Sequence, residues 1–238
     1  MAPALSSRAD PRSFSHVETW IFDLDNTLYP PSCRLFDLID TRMTEYIGNL
    51  LSIDAVTART LQKDYYRQYG TSLRGLMDVH GVDPHEFMDF VHDISHDALV
   101  PDPKLAEAIA ALPGKRYVLT NGSRAHAERC AASLGLSDLF HDIFDVSQAD
   151  FMPKPTPEVY DSFVRHLGVA PRNAAMFEDL ARNLEVPHAL GMTTVLVLPQ
   201  GEDVIDRAMH AEDSQQGPHV DHVTDDLASF LAKLRGPI

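Results

Sequence analysis

Cysteine is nearly absent: the 238 residues hold only Cys33 and Cys130. Two thiols so far apart make neither a disulfide framework nor a zinc site, and both are expected to be reduced and partly buried. Positive charge is scarce as well. Twenty Lys and Arg stand against 35 Asp and Glu, a formal net charge of −15. That balance excludes a nucleic-acid polymer as partner, which would require a basic face to neutralise phosphates. It leaves room for a small anion, because a metal ion and a few placed cations reverse the field locally. No apolar run approaches the roughly 20 residues of a membrane helix. Residues 1–16 lack the apolar stretch of a secretory signal and read as a flexible polar tail. The expectation is a cytoplasmic protein with no membrane partner, either monomer or homodimer.

The hydrophobic share is 44% and the charged share 23%, as in ordinary globular chains. The first strand is read at 17–22, ending abruptly in Asp23-Leu24-Asp25-Asn26-Thr27, which is loop chemistry. Pro30 and Pro31 prevent immediate helix continuation. From 35 to 99 the apolar spacing is helical, with helices at about 35–47, 56–69 and 84–92. Beyond Pro101 helices and strands alternate. Asp102-Pro103 opens a helix that stops near Gly114. Strands are read at 117–120, 142–146, 174–177 and 193–198. Helices are read at 124–134, 157–168 and from 181, with a short strand and a last helix in 219–234. A surface helix is expected at 202–210 and a polar loop at 212–217. Such alternation implies an α/β fold, a parallel sheet with helices on both faces. Ligands on such sheets bind at the carboxyl ends of the strands.

The strand ends are therefore the places to look for chemistry. The first ends in Asp23-x-Asp25-x-Thr27 and the next in Thr120-Asn121-Gly122. Lys154 precedes a helix. The 174–177 strand runs into Glu178-Asp179, with Asn183 beyond. If these strands are neighbours, the polar groups gather at one rim, and such a set suits phosphoryl transfer. Asp23 and Asp179 can place two carboxylates on one Mg²⁺, which keeps room for substrate oxygen and water. A carboxylate attacks phosphorus without first losing a proton, making Asp23 the candidate nucleophile. Asp25, two residues on, points to the same side in an extended backbone and is placed as acid and base. Burial and nearby anions are expected to raise its pKa while the metal keeps Asp23 ionised. Thr120 and the N–H groups of Asn121 and Gly122 are candidates for holding phosphate oxygens, with Leu24 as a further substrate contact. Lys154 adds a point charge. Each piece alone has a plain structural explanation as turn, cap or solvated lysine; order and context give the set its weight.

These motifs resemble those of the haloacid dehalogenase-like (HAD) hydrolase superfamily over nearly the whole chain beyond the tail. The resemblance implies Asp23 as nucleophile, Asp25 as acid/base, Thr120 as phosphate binder and Lys154 as the lysine that steadies both. It implies metal held by Asp23, Asp179 and the backbone carbonyl of Asp25. It also implies a Rossmann-like core at 17–30 and 101–238 and an inserted all-helical cap at 31–100. The cap would hinge near residues 29–31 and 100–103. Many relatives carry a second acid where this chain has Asn183; the amide is expected to hold metal-bound water, or Glu178 to compensate. FDLDNTLYP, TNG, FEDLARNL and GMTTVLV, with YYRQYGTSLRGLM in the cap, are similar to the pyrimidine 5′-nucleotidase branch. That likeness implies UMP or CMP as substrate. The alternative is another small phosphate, of the phosphoglycolate or sugar-phosphate kind. A phosphomutase, a dehalogenase and a non-catalytic phospholigand sensor are further competitors.

Tyr65, Tyr66 and Tyr69 share a cap helix, where cap packing is the plainer role and base stacking the alternative. Arg34 and Arg74 read as surface arginines. His92 and His96, at i,i+4, read as a solvated helix face rather than metal ligands.

Overall fold

The computed structural model describes residues 12–199 and 217–234. The helix expected at 202–210 and most of the loop at 212–217 lie outside the described residues. The strands are β1 (Thr19–Phe22), β2 (Lys115–Leu119), β3 (Asp142–Phe144), β4 (Ala174–Glu178), β5 (Thr193–Val197) and β6 (His222–Thr224). They form one sheet in the order β3-β2-β1-β4-β5-β6. Every pairing is parallel. The chain therefore builds outward from β1 in both directions, and β1 sits between β2 and β4. Phe22 is level with Val118 on one side and Phe177 on the other. The residues that follow these three strands consequently emerge together, at the switch point where open α/β sheets bind ligands.

Side chains alternate across the sheet, as the two-residue period requires. Trp20, Phe22, Val118, Ala175, Phe177 and Val195 face one buried cluster. Ile21, Leu119, Met176 and Leu196 face the other. Helices α5 (Pro103–Ala110), α6 (Arg124–Leu134) and α9 (Leu227–Lys233) bury apolar side chains in the first cluster. Helix α7 (Pro157–Leu167) closes the second, with α8 (Glu185–Leu190) packed at its edge. Burial on both faces explains why the core strands read as near-continuous apolar runs.

The helical cap comprises α1 (Leu35–Leu51), α2 (Ala55–Tyr69), α3 (Ser72–His80) and α4 (Pro84–Val91) around a third cluster. That cluster includes Val146 and Phe151 of the core, so the cap is seated on the core. The separate helix α3 went unread in the sequence. Gly70, at φ 85°, breaks the chain, and the Thr71 side chain then caps the next helix through the Arg74 N–H. Other starts follow local chemistry: Asp54, Asp83, Asp102 and Ser123 each accept first-turn N–H groups. The helix expected from 181 is a short 3-10 turn, Ala181–Leu184, that runs into α8.

Residues 12–16 depart from the expected flexible tail. Arg12 donates to the carbonyls of His188, at 3.0 Å, and Met192. The Phe14 ring stacks beside Trp20 with centroids 6.1 Å apart. An arginine and an aromatic in this stretch anchor the approach to β1. Among the described residues no helix is long and apolar enough to cross a membrane.

Candidate active site

Asp23 leaves β1, Thr120 leaves β2, and Glu178 ends β4 with Asp179 next to it. Strand order thus assembles what the chain separates. Lys154 arrives from the loop before α7 and is buried, with 2% of its surface exposed. Its Nζ donates to Asp23 Oδ1 at 2.6 Å, Glu178 Oε2 at 2.8 Å and the Leu119 carbonyl at 2.9 Å. An ammonium has three N–H donors, and all three are used. Lys154 is therefore a fixed strut for Asp23 rather than a free point charge. The second Asp23 oxygen, Oδ2, accepts from Thr27 Oγ1 at 3.2 Å. The carboxylate is held from both ends.

Carboxylate oxygens of Asp23, Glu178 and Asp179 lie within 4.8 Å of one another, and all three residues are buried. Two of these carboxylates, Asp23 and Glu178, share the one ammonium of Lys154. The consequence is visible at Asp23. Burial, then the charge of Glu178, push its pKa up to about 7 despite the pull of Lys154. Asn183 is also buried, and its Oδ1 has no hydrogen-bond partner. A buried carbonyl oxygen of this kind calls for a donor such as an ordered water.

Asp25 behaves differently from the expectation. Burial works to raise its pKa, but His126 and Tyr29 outweigh it, and the carboxyl falls to about 2. His126 Nε2 is 3.2 Å from Asp25 Oδ1, and the Tyr29 hydroxyl donates to the same oxygen. The resting residue is an anion, not the protonated acid inferred from local charge. Neither partner stands out among the strand-end motifs of the sequence. Tyr29 stands four residues beyond Asp25, and His126 lies in the first turn of α6, capped by Ser123. A titratable side chain in a helix start that follows a strand-end motif is the signal that could have found it.

Further expectations are revised. The Gly122 N–H is already engaged by Thr120 Oγ1 at 2.9 Å, so it is not a free phosphate donor. The Asn121 side chain has a further part: its Oδ1 accepts from the Lys154 N–H at 2.8 Å, which ties β2 to the lysine loop. The Leu24 side chain is fully buried in the core, so it offers no exposed surface for a substrate contact. His92 and His96 do not form a solvated face. Helix α4 stops at Val91. His92 is buried and stacked on His126, with ring centroids 4.3 Å apart. Tyr65 packs edge-on to Tyr69 and bonds His80 at 2.6 Å, which is the packing role. Tyr66 reaches the core, where Arg182 donates to its hydroxyl at 2.5 Å. Arg74 pairs with Asp78, and Arg34 with Asp37 at 2.8 Å.

A model of haloacid dehalogenase-like hydrolases matches residues 17–191. The chain belongs to the haloacid dehalogenase-like hydrolase family. Among curated relatives, Phosphate metabolism protein 8 of Saccharomyces cerevisiae is 29% identical over 197 residues, 76% of this chain and 61% of the yeast protein. The chain thus spans under two thirds of that relative. The Glyceraldehyde 3-phosphate phosphatase of Methanopyrus kandleri is 25% identical and is covered over 84% of its length, by 76% of this chain. Among solved structures, a HAD phosphatase from Thermococcus onnurineus superposes with a TM-score of 0.60 at 18% identity, covering 92% of this chain and 99% of that one. At that identity the likeness speaks for the fold: a Rossmann-like HAD core with an inserted helical cap.

Proposed function

We propose that this HAD hydrolase cleaves phosphate monoesters through an aspartyl-phosphate on Asp23, with pyrimidine nucleoside monophosphates such as UMP or CMP as substrates. The observation that carries the reading is the pinned Asp23: one oxygen on Lys154, the other on Thr27, in a buried cluster with Glu178 and Asp179. Binding alone requires no carboxylate fixed so tightly. Fixing it in advance removes orientational freedom that the attack would otherwise have to lose. The relatives' names, with phosphate metabolism and a sugar-phosphate phosphatase among them, support the reaction class.

The cluster also fits a divalent cation. Its close-set carboxylate oxygens and the unpartnered Asn183 Oδ1 both suit a hydrated Mg²⁺. Asp23, Asp179 and the Asp25 main-chain carbonyl would hold the ion, with Asn183 and Glu178 around it. When bound, Mg²⁺ supplies positive charge that cancels the repulsion between carboxylates and phosphate.

The protein's own steps follow. Asp23 attacks phosphorus, and the bond to the ester oxygen breaks. Asp25 gives a proton to that leaving oxygen, then takes one from the water that hydrolyses the acyl phosphate. The resting anion suits the second role directly. The first requires Asp25 to gain a proton with substrate present, and His126 and Tyr29 hold the carboxyl in position throughout. Thr120 lies at the rim to orient phosphate oxygens, and the cap, hinged near residues 29–31 and 100–103, shields the site from bulk water. The nucleotide preference rests on the segment likeness of FDLDNTLYP, FEDLARNL and the YYRQYGTSLRGLM cap helices.

The test is phosphate release from a panel of monophosphates with and without Mg²⁺. UMP and CMP should exceed glycerol phosphate, phosphoglycolate and glyceraldehyde 3-phosphate by about tenfold or more in kcat/KM, roughly 1.4 kcal/mol of transition-state preference. Asp23→Asn should abolish release while the fold persists. Equal rates across the panel refute the nucleotide preference; activity retained by Asp23→Asn refutes the mechanism.

A further inference from the structure

Behind Asp25, away from Lys154, lies a second cluster of ligand-type side chains. His126 and Cys130 stand four residues apart on α6, so both project from one helix face. His96 joins them from the segment between α4 and α5 that leads out of the cap. His96 Nε2 is 3.3 Å from His126 Nδ1. Cys130 Sγ is 3.8 Å from that nitrogen and 3.6 Å from Nε2. Ligand atoms of the three residues all lie within 4.8 Å of one another.

A tetrahedral zinc ion with bonds of about 2.05 Å to nitrogen and about 2.3 Å to sulfur spaces two nitrogens roughly 3.3 Å apart, and nitrogen and sulfur roughly 3.6 Å apart. The His96 Nε2 to His126 Nδ1 separation agrees with the first value. Cys130 Sγ lies as near Nε2 as Nδ1, so it would turn about its Cα–Cβ bond to reach an ion held on Nδ1. Two imidazoles and a thiol select a soft or borderline ion over Mg²⁺. The other face of His126 is also built for this. A metal-bound imidazole characteristically gives its second N–H to a carboxylate, which sets the tautomer. His126 Nε2 lies 3.2 Å from Asp25 Oδ1. The flat stack of His92 fixes the ring plane, and the His92 Nδ1 is itself engaged by Ser123 Oγ at 2.9 Å.

We propose that His96, His126 and Cys130 form a binding site for zinc or a similar soft divalent ion, with a fourth position for water. Binding replaces the Cys130 S–H bond by a sulfur–metal bond and releases the proton to solvent; nothing is oxidised or reduced. The ion ties the cap's exit segment to a core helix and holds His126 on Asp25. If the phosphatase reading is right, zinc is then an inhibitor acting apart from the Mg²⁺ cluster.

The full-length reduced protein, kept in excess Mg²⁺, is titrated with Co²⁺ and then Zn²⁺. One Co²⁺ per chain should bind, with a thiolate-to-cobalt absorption band and intense four-coordinate visible bands, both bleached by one equivalent of Zn²⁺. The thiolate band should vanish in Cys130→Ser. In His96→Gln, whose site is partly exposed and tolerant of change, Co²⁺ affinity should fall by about tenfold or more, the loss that even an outer-shell change brings. Cys33→Ser and Asp23→Asn should keep the band. A folded wild type with no thiolate band overturns the site, as does a band that survives Cys130→Ser and His96→Gln or disappears in Cys33→Ser. Zinc should suppress phosphate release in the wild type but not in His96→Gln; a formed site with no suppression overturns the inhibitory role. The cobalt spectra need no turnover, so they judge the site even if every phosphate ester proves inert.

Discussion

Replacing Lys154 by methionine tests the electrostatic core of the site without reference to catalysis. The two side chains are close in volume, so packing changes little. What is lost is an ammonium that is almost wholly buried and bonded to Asp23, Glu178 and the Leu119 carbonyl. Removing one member of a buried ion pair strands its partner, at a cost of about 3–5 kcal/mol. For a domain of this size, at about 2–4 °C per kcal/mol, that corresponds to a fall in Tm of roughly 6–20 °C. The loss has a pH signature. Without Lys154, Asp23 loses the cation that lowers its pKa; its folded pKa then stands further above the unfolded one, so protonation stabilises the variant at low pH and this is lost as pH rises. The deficit against wild type should therefore shrink between pH 7 and pH 5. Adding Glu178→Gln to Lys154→Met should recover part of it by removing one of the stranded charges. Urea denaturation of the metal-free proteins at the two pH values measures all of this. A loss below about 1 kcal/mol, or one indifferent to pH, would refute the picture of one ammonium compensating crowded carboxylates.

Magnesium affinity should depend on pH through Asp23, whose pKa burial and Glu178 push up to about 7. The ion must displace that proton, so affinity should fall by about tenfold per pH unit below 7 and level off above about pH 8; calorimetry showing equal affinity at pH 5.5 and 7.5 contradicts the assignment. Gly114→Ala should cost about 2–4 kcal/mol, because the backbone sits at φ 77° and a Cβ would lie 2.0 Å from the Glu18 carbonyl oxygen. Gly168→Ala, also at positive φ but with open space around it, should cost only about 1 kcal/mol. Equal urea midpoints for the two variants would show that the turn beside Glu18 yields.

Much of this protein is written in local signals. The helix starts at Asp102 and Ser123 are legible because a side-chain acceptor lies within one turn of the N–H groups it satisfies. The core strands are legible because burial on both faces leaves unbroken apolar runs. The site motifs stand out because strand ends in a parallel sheet carry loop chemistry. Where those motifs meet depends on strand order, which no single segment encodes. Only the pairing of β1 with both β2 and β4 brings Asp23, Thr120 and Asp179 to one rim. The ionisation of Asp25 was decided the same way: local sequence shows the nearby acids, whereas the anion is set by His126, 101 residues away. Leu24 and Gly122 carry the same lesson on a smaller scale, one buried in the core and the other's N–H taken by Thr120. Periodicity and capping act within a turn or two of the backbone, so the amino-acid order determined the elements and their chemistry. Charge, desolvation and hydrogen-bond partnership act through space, and those were decided by the tertiary structure.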